Sequence, residues 1–161
     1  MATEIERKFL LKNDSWRQQV ESTHYIRQGY ARFREHDKAS FRVRIKDDKA
    51  FLTLKTPVVN YSRKEFEYAI PRQDAEELLQ EICSGGEIEK KRHIVIYDSM
   101  RWEIDEFLGD NAGLLVAEIE LESPEQSFSI PPWLGREVSD DFRYFNSKLL
   151  LNPYKNWKEK A

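Results

Sequence analysis

Over most of its length the chain alternates apolar and charged residues with a period of two. Side chains of an extended strand point to opposite faces in turn, so the pattern predicts strands at residues 3–11, 25–34, 41–46, 50–56, 61–70, 88–97, 101–107 and 115–121. Asp47-Asp48-Lys49 turns the third run into the fourth, which makes a hairpin. Gly29, inside the second run, marks a bulge or a close backbone approach. Helical spacing covers residues 74–83, ended by Ser84-Gly85-Gly86, and residues 140–152, ended before Pro153. Asn13-Asp14-Ser15 caps a short helix reaching Val20. Pro131-Pro132-Trp133 marks a loop. The reading is an α+β protein, mainly β, with about eight strands and three helices, enough for a closed antiparallel barrel. At 161 residues it is taken as a single domain, 1–161.

Placing the charges on faces shows blocks of one sign. Glu4, Glu6 and Lys8 share a face opposite Ile5, Arg7 and Phe9. Arg42, Arg44 and Lys46 oppose Phe41, Val43 and Ile45, and Thr53 and Lys55 oppose Leu52 and Leu54. Arg63, Glu65 and Glu67 oppose Phe66 and Tyr68. Lys90 pairs with Arg92, Glu103 with Asp105, and Glu118 with Glu120. One charged and one apolar face is ordinary for a half-solvated antiparallel sheet. Like charges two apart on a strand repel, however, unless a cation occupies the acidic side and a polyanion the basic side. A sheet closed with its apolar faces outward would gather all of these charges in a wet tunnel.

Composition narrows the partners. Charged residues are 34% of the chain, against about 25% ordinarily, yet the formal net charge is only -3. A broad basic surface for nucleic acid is therefore excluded. The lone cysteine, Cys83, forms no intrachain disulfide, which fits a reducing compartment. No apolar run is long enough for a membrane span and no secretory signal opens the chain, so a cytoplasmic protein without membrane contact is expected. His24, His36 and His93 have no cysteine or histidine at zinc-ligand spacing, and His93 faces away from Lys90 and Arg92. The four tryptophans read as packing residues.

Glu4-Ile-Glu6-Arg-Lys8-Phe resembles the Glu-x-Glu-x-Lys opening of the CYTH domain, or triphosphate tunnel metalloenzyme, family. The order of the later motifs is similar too: Arg27-Gln-Gly-Tyr30, Arg42-x-Arg44, Thr53-Leu-Lys55, Glu65-x-Glu67, Lys90-x-Arg92, Glu103-x-Asp105-x-Phe107, Glu118-x-Glu120 and Gly135 through Tyr144. The chain looks closest to the short bacterial members made of this domain alone. The resemblance implies an eight-stranded antiparallel closed tunnel, with helices packed outside and a C-terminal helix near one tunnel end. It implies Mg²⁺ or Mn²⁺ held by Glu4, Glu6, Asp105, Glu118 and Glu120. Lys8, Arg42, Arg44, Lys55, Lys90 and Arg92 would hold phosphate oxygens, and Arg143 would close the tunnel over the substrate.

Residue chemistry agrees with that assignment, because Mg²⁺ takes few carboxylates plus substrate phosphates and arginine forks match phosphate. Lys8 and Tyr30 are expected to handle protons, on the argument that a lysine among cations titrates low. Arg63, Glu65 and Glu67 read as cross-strand ion pairs that orient their neighbours, and Glu103 as a support behind the metal ligands. Tyr144-Phe145-Asn146 departs from the family form, in which the middle place is often small or basic. The function implied is hydrolysis of inorganic tripolyphosphate. Nucleoside or thiamine triphosphate hydrolysis, adenylate cyclisation and non-catalytic polyphosphate binding are the alternatives. The outer apolar faces can pack under the chain's own helices or against a second copy in a homodimer, and the sequence does not choose.

Overall fold

The computed structural model describes residues 1–31, 38–83 and 85–161. His36, the end of the second expected strand at residues 32–34, and Ser84 lie outside them. Among the described residues nine strands run in the order β1 (Ala2–Leu11), β2 (Val20–Ala31), β3 (Ser40–Lys46), β4 (Lys49–Lys55), β5 (Ser62–Ile70), β6 (Ile88–Tyr97), β7 (Met100–Phe107), β8 (Leu115–Glu120) and β9 (Leu134–Glu137). Helix α1 (Arg72–Glu81) follows β5 and the short helix α2 (Asn146–Leu151) follows β9. The sheet order is β5-β4-β3-β2-β6-β7-β8-β1-β9, and β1 also pairs with β5. That last pairing closes β1 to β8 into an antiparallel barrel. β1 manages both partners by dividing its length: Ala2 to Ile5 face β5, and Glu6 to Phe9 face β8.

Three expectations change. The segment after Asn13 is a single 3-10 turn, Ser15–Gln19, because β2 begins at Val20 and pairs with β6 well before Tyr25. The C-terminal helix is broken into a 3-10 turn, Phe142–Tyr144, and α2. Four residues after the Pro-Pro loop form β9 against the end of β1, a strand too short to show a period. Among the described residues no helix is long and apolar enough to cross a membrane.

The core lies outside the barrel. Ile5, Phe9, Trp102, Ile104, Ala117 and Ile119 point outward from β1, β7 and β8 and pack with Trp16 and Trp133. On the opposite side Val43, Ile45 and Ala50 pack under Ala75, Leu79 and Cys83. Fully burying such a side chain stabilises by about 1.5–3 kcal/mol. A third cluster seals one tunnel end. Leu10, Ile88, Phe107 and Val116 share inward parity with Lys8, Lys90, Asp105 and Glu118, and they pack against Tyr144 and Leu149 from the C-terminal segment. Inward positions thus run from charged to apolar, and α2 sits on the apolar floor.

Candidate active site

Above that floor the barrel encloses a cavity of about 220 Å³. Its lining comes from strand alternation: every second residue of β1, β3, β4, β5 and β8 points in. Glu4, Glu6, Glu118 and Glu120 form an acidic side, with Glu6 directly across from Glu120 and Lys8 across from Glu118. Arg42 and Arg44 face them with Lys55, Arg63 and Arg92.

The acidic side is only partly neutralised. Glu4 accepts from Lys55 at 2.8 Å and from Arg63 at 2.9 Å. Burial opposes its charge, but these two cations hold its carboxyl at about 2. Glu118 lies 3.2 Å from Lys8 and is likewise held at about 2 despite burial, by Lys8 and Arg92. Glu6 has only looser cations, Lys8 at 3.9 Å and Arg63 at 3.8 Å. Burial, then Glu118 and Glu4, push its carboxyl up to about 7. Glu120 has no ion pair among the described residues, and desolvation together with Glu4 and Glu103 raises it. Two neighbouring carboxylates with their charged forms disfavoured suit an oxygen-liganded divalent cation. By donor chemistry Glu6 and Glu120 are the candidates for the metal that the family resemblance implies, while no group of three or more His, Cys, Asp or Glu among the described residues is gathered as metal ligands.

The basic side shows the complementary excess. Arg44 donates through Nε to Gln28 Oε1 at 2.8 Å and has no carboxylate within ion-pair distance among the described residues. Burial, Arg42 and Arg92 lower it to about 9. Arg42 donates to Thr53 and lies 3.7 Å from Glu67, while its buried Nε has no partner among the described residues. Cations crowded this way gain from an anion between them.

Several expected site residues stand elsewhere. Asp105 has no exposed surface and does not line the cavity; it accepts from Arg92 Nε at 2.8 Å and from Lys90 at 2.7 Å. Although burial opposes its charge, Arg92 and Lys90 hold it well below the usual carboxylate range. In register Asp105 is level with Val116 of the floor on one side and with Arg92 on the other. Asp105 thus braces Arg92 directly across the β6–β7 pair. Arg143 is off the cavity, paired with Asp141 at 2.7 Å over the Trp157 ring.

Lys8 does not titrate low. Burial favours its neutral form, but Glu118 and Glu6 outweigh that and raise it. Lysines are depressed elsewhere: burial and neighbouring guanidinium groups lower Lys46 and Lys55, and Lys90 is driven to about 7 by complete burial with Arg92 and Arg44 nearby, against Asp105. Tyr30 lines the cavity with its hydroxyl accepting from Gln28 at 2.7 Å. Arg63 bridges Glu4 and Glu6, Glu103 lies 3.2 Å from Arg92, Thr53 donates to Glu67, and Glu65 lines the cavity near Lys55. His93 faces outward but is buried, against the Trp16 ring and bonded to Thr23 and Glu106.

Gln28, Ser139, Phe145 and Asn146 also line the cavity. In the sequence Gln28 stands inside the Arg27–Tyr30 motif and Phe145 and Asn146 inside the stretch that departs from the family form, but none of the four is marked there as a cavity residue. Ser139, Phe145 and Asn146 come from the C-terminal segment, whose docking no periodicity announces.

Residues 2–149 match the CYTH domain. The chain is 46% identical over 159 residues to the inorganic triphosphatase of Acetivibrio thermocellus, covering 99% of this chain and all of the relative. It is 36% identical to the inorganic triphosphatase of Nitrosomonas europaea, covering 93% and 98%. The fold overlays the crystal structure of the inorganic triphosphatase NE1496 with a TM-score of 0.66 at 34% identity, covering 94% of this chain and 96% of that one. A Hippeastrum protein at 19% identity shares the fold at a TM-score of 0.58, covering 76% and 81%.

Proposed function

The chain belongs to the CYTH domain family, and from that premise we propose that it hydrolyses inorganic tripolyphosphate to pyrophosphate and phosphate. One observation carries the reading. One cavity inside the barrel holds surplus carboxylate at Glu6 and Glu120 and surplus guanidinium at Arg44, so it is completed by a cation and a polyanion together. The two curated relatives, both inorganic triphosphatases, support the choice of substrate.

Arg42, Arg44 and Arg92 bind the phosphate oxygens and stabilise charge on the leaving pyrophosphate. Asp105 keeps Arg92 aimed, and Lys55 and Arg63 hold Glu4 in place. A carboxylate of the acidic side orients the water for in-line attack on the terminal phosphoryl group. Mg²⁺ or Mn²⁺, held by Glu6, Glu118 and Glu120, would neutralise phosphate charge when bound.

The test is phosphate release from tripolyphosphate, ATP and thiamine triphosphate with Mg²⁺, with Mn²⁺ and with chelator. Release is expected fastest from tripolyphosphate and abolished by chelator. Glu120→Gln should lose metal-dependent turnover while remaining folded, and Arg44→Ala should lower kcat on the order of a hundredfold or more. Tight binding of all three without release would make the protein a polyphosphate-binding module instead.

A further inference from the structure

The neutral side chains at the bottom of the cavity have forced orientations, and the consequence rests on the triphosphate reading above. Asn146 opens α2, is 9% exposed and lines the cavity. Its Oδ1 accepts from Lys90 Nζ at 2.8 Å and from Gln28 Nε2 at 3.2 Å. Gln28, with no exposed surface, accepts at Oε1 from Arg44 Nε and donates through Nε2 to the Tyr30 hydroxyl as well.

The two ends of an amide are nearly interchangeable in shape, so hydrogen-bond partners must decide which is which. Here both ends of the chain of bonds decide alike. Arginine can only donate, which turns Gln28 Oε1 toward Arg44 and leaves Nε2 as the donor; Asn146 must then present its oxygen. Lys90 in its charged form is also a donor only and requires the same. The Asn146 Nδ2 amide is left without a protein acceptor among the described residues. The Tyr30 oxygen, already accepting, keeps its own proton to give.

We propose that Asn146 is a substrate-contacting residue, its Nδ2 amide donating to a phosphate oxygen on the Arg44 side of the cavity, with the Tyr30 hydroxyl as a second neutral donor. A neutral donor has a physical advantage here. Arg42, Arg44 and Arg92 already crowd one another, and another cation would add repulsion, whereas an amide adds a hydrogen bond to a charged acceptor without it. The C-terminal segment thereby contributes to binding through Asn146, where the sequence pointed to Arg143.

Asn146→Asp keeps the acceptor for Lys90 and Gln28 and removes the donor, while Asn146→Ala removes both without adding charge. Both are expected to raise KM for tripolyphosphate about tenfold or more, the loss of one hydrogen bond to a charged group. Their kcat should change far less, which marks a binding contact. Mn²⁺ affinity without substrate should stay at the wild-type value, as the acidic side is untouched. Calorimetric titration with tripolyphosphate under chelator reads the same contact without turnover, so it separates this proposal from the hydrolytic reading, which wild-type phosphate release decides. Wild-type KM and wild-type calorimetric affinity in the aspartate variant would overturn the proposal, and that variant alone suffices should the alanine variant not fold.

Discussion

Glu6 shows how a binding residue is held at a cost to the fold. Its carboxyl is raised from an ordinary 4.5 to about 7 by burial and by Glu118 and Glu4, so the folded protein binds this proton more tightly than the unfolded chain does. The contribution to stability is complete below pH 4.5 and is lost as the pH rises through 7. Glu6→Gln, which cannot ionise, is expected to melt above the wild type by about 5 °C at pH above 7 under chelator, and close to it below pH 4.5. Thermal scans across that range check the sign; a wild type that gains on the variant as pH rises would refute it. The same residue-scale balance separates Lys8 from Lys90. Both are buried lysines among charges, but Lys8 faces two carboxylates and is raised, whereas Lys90 has two guanidinium groups nearby and falls to about 7. Sequence shows which charges share a face and not which stand opposite, and for that reason the low titration expected at Lys8 falls on other lysines, Lys90 most of all.

At the scale of elements, the packing of α1 on the barrel turns on Gly29. A Cβ there would lie 2.8 Å from the Cys83 Cβ and 2.9 Å from the Leu79 Cδ2. Of the two readings of this glycine, close approach is the one observed. Gly29→Ala is therefore expected to destabilise by about 1–3 kcal/mol through overpacking, seen as a lower urea midpoint at unchanged slope. An unaltered midpoint would mean that α1 shifts freely on β2. Arg27, on the same outward face, adds ion pairs to Glu76 and Glu87 at 2.9 Å each. Strands were readable because their alternation is set by the pleat alone. Element ends were less so: α2 and β9 are short and take their shape from what they dock onto, the floor residues Phe107 and Val116 for the C-terminal segment and the end of β1 for β9.

At the scale of the whole molecule, closure reverses the usual layout: apolar faces turn outward under the helix, the turns and the loops, while the charged faces turn in. The cavity then carries repulsion of both signs, so ligands of both signs should stabilise it by mass action, about 2.7 kcal/mol at a hundredfold excess over Kd. Tripolyphosphate with Mg²⁺ is expected to raise the melting temperature by several degrees, more than either alone, and chelator should remove the metal-dependent part. A response to neither ligand would contradict the two-sided site. The sequence by itself determined the eight strands of the barrel, the charged character of their inward faces and the family, because period-two alternation and residue order survive in one dimension. Only the tertiary structure decided which charges are free and which are spent on one another. Asp105 stands opposite Arg92 on one side and Val116 of the floor on the other, a placement set by cross-strand register, and its carboxylate is spent on Arg92 and Lys90. Asn146 reaches the cavity because the C-terminal segment folds back onto the floor 118 residues from Gln28, a long-range packing event driven by Tyr144 and Leu149 that no local pattern encodes.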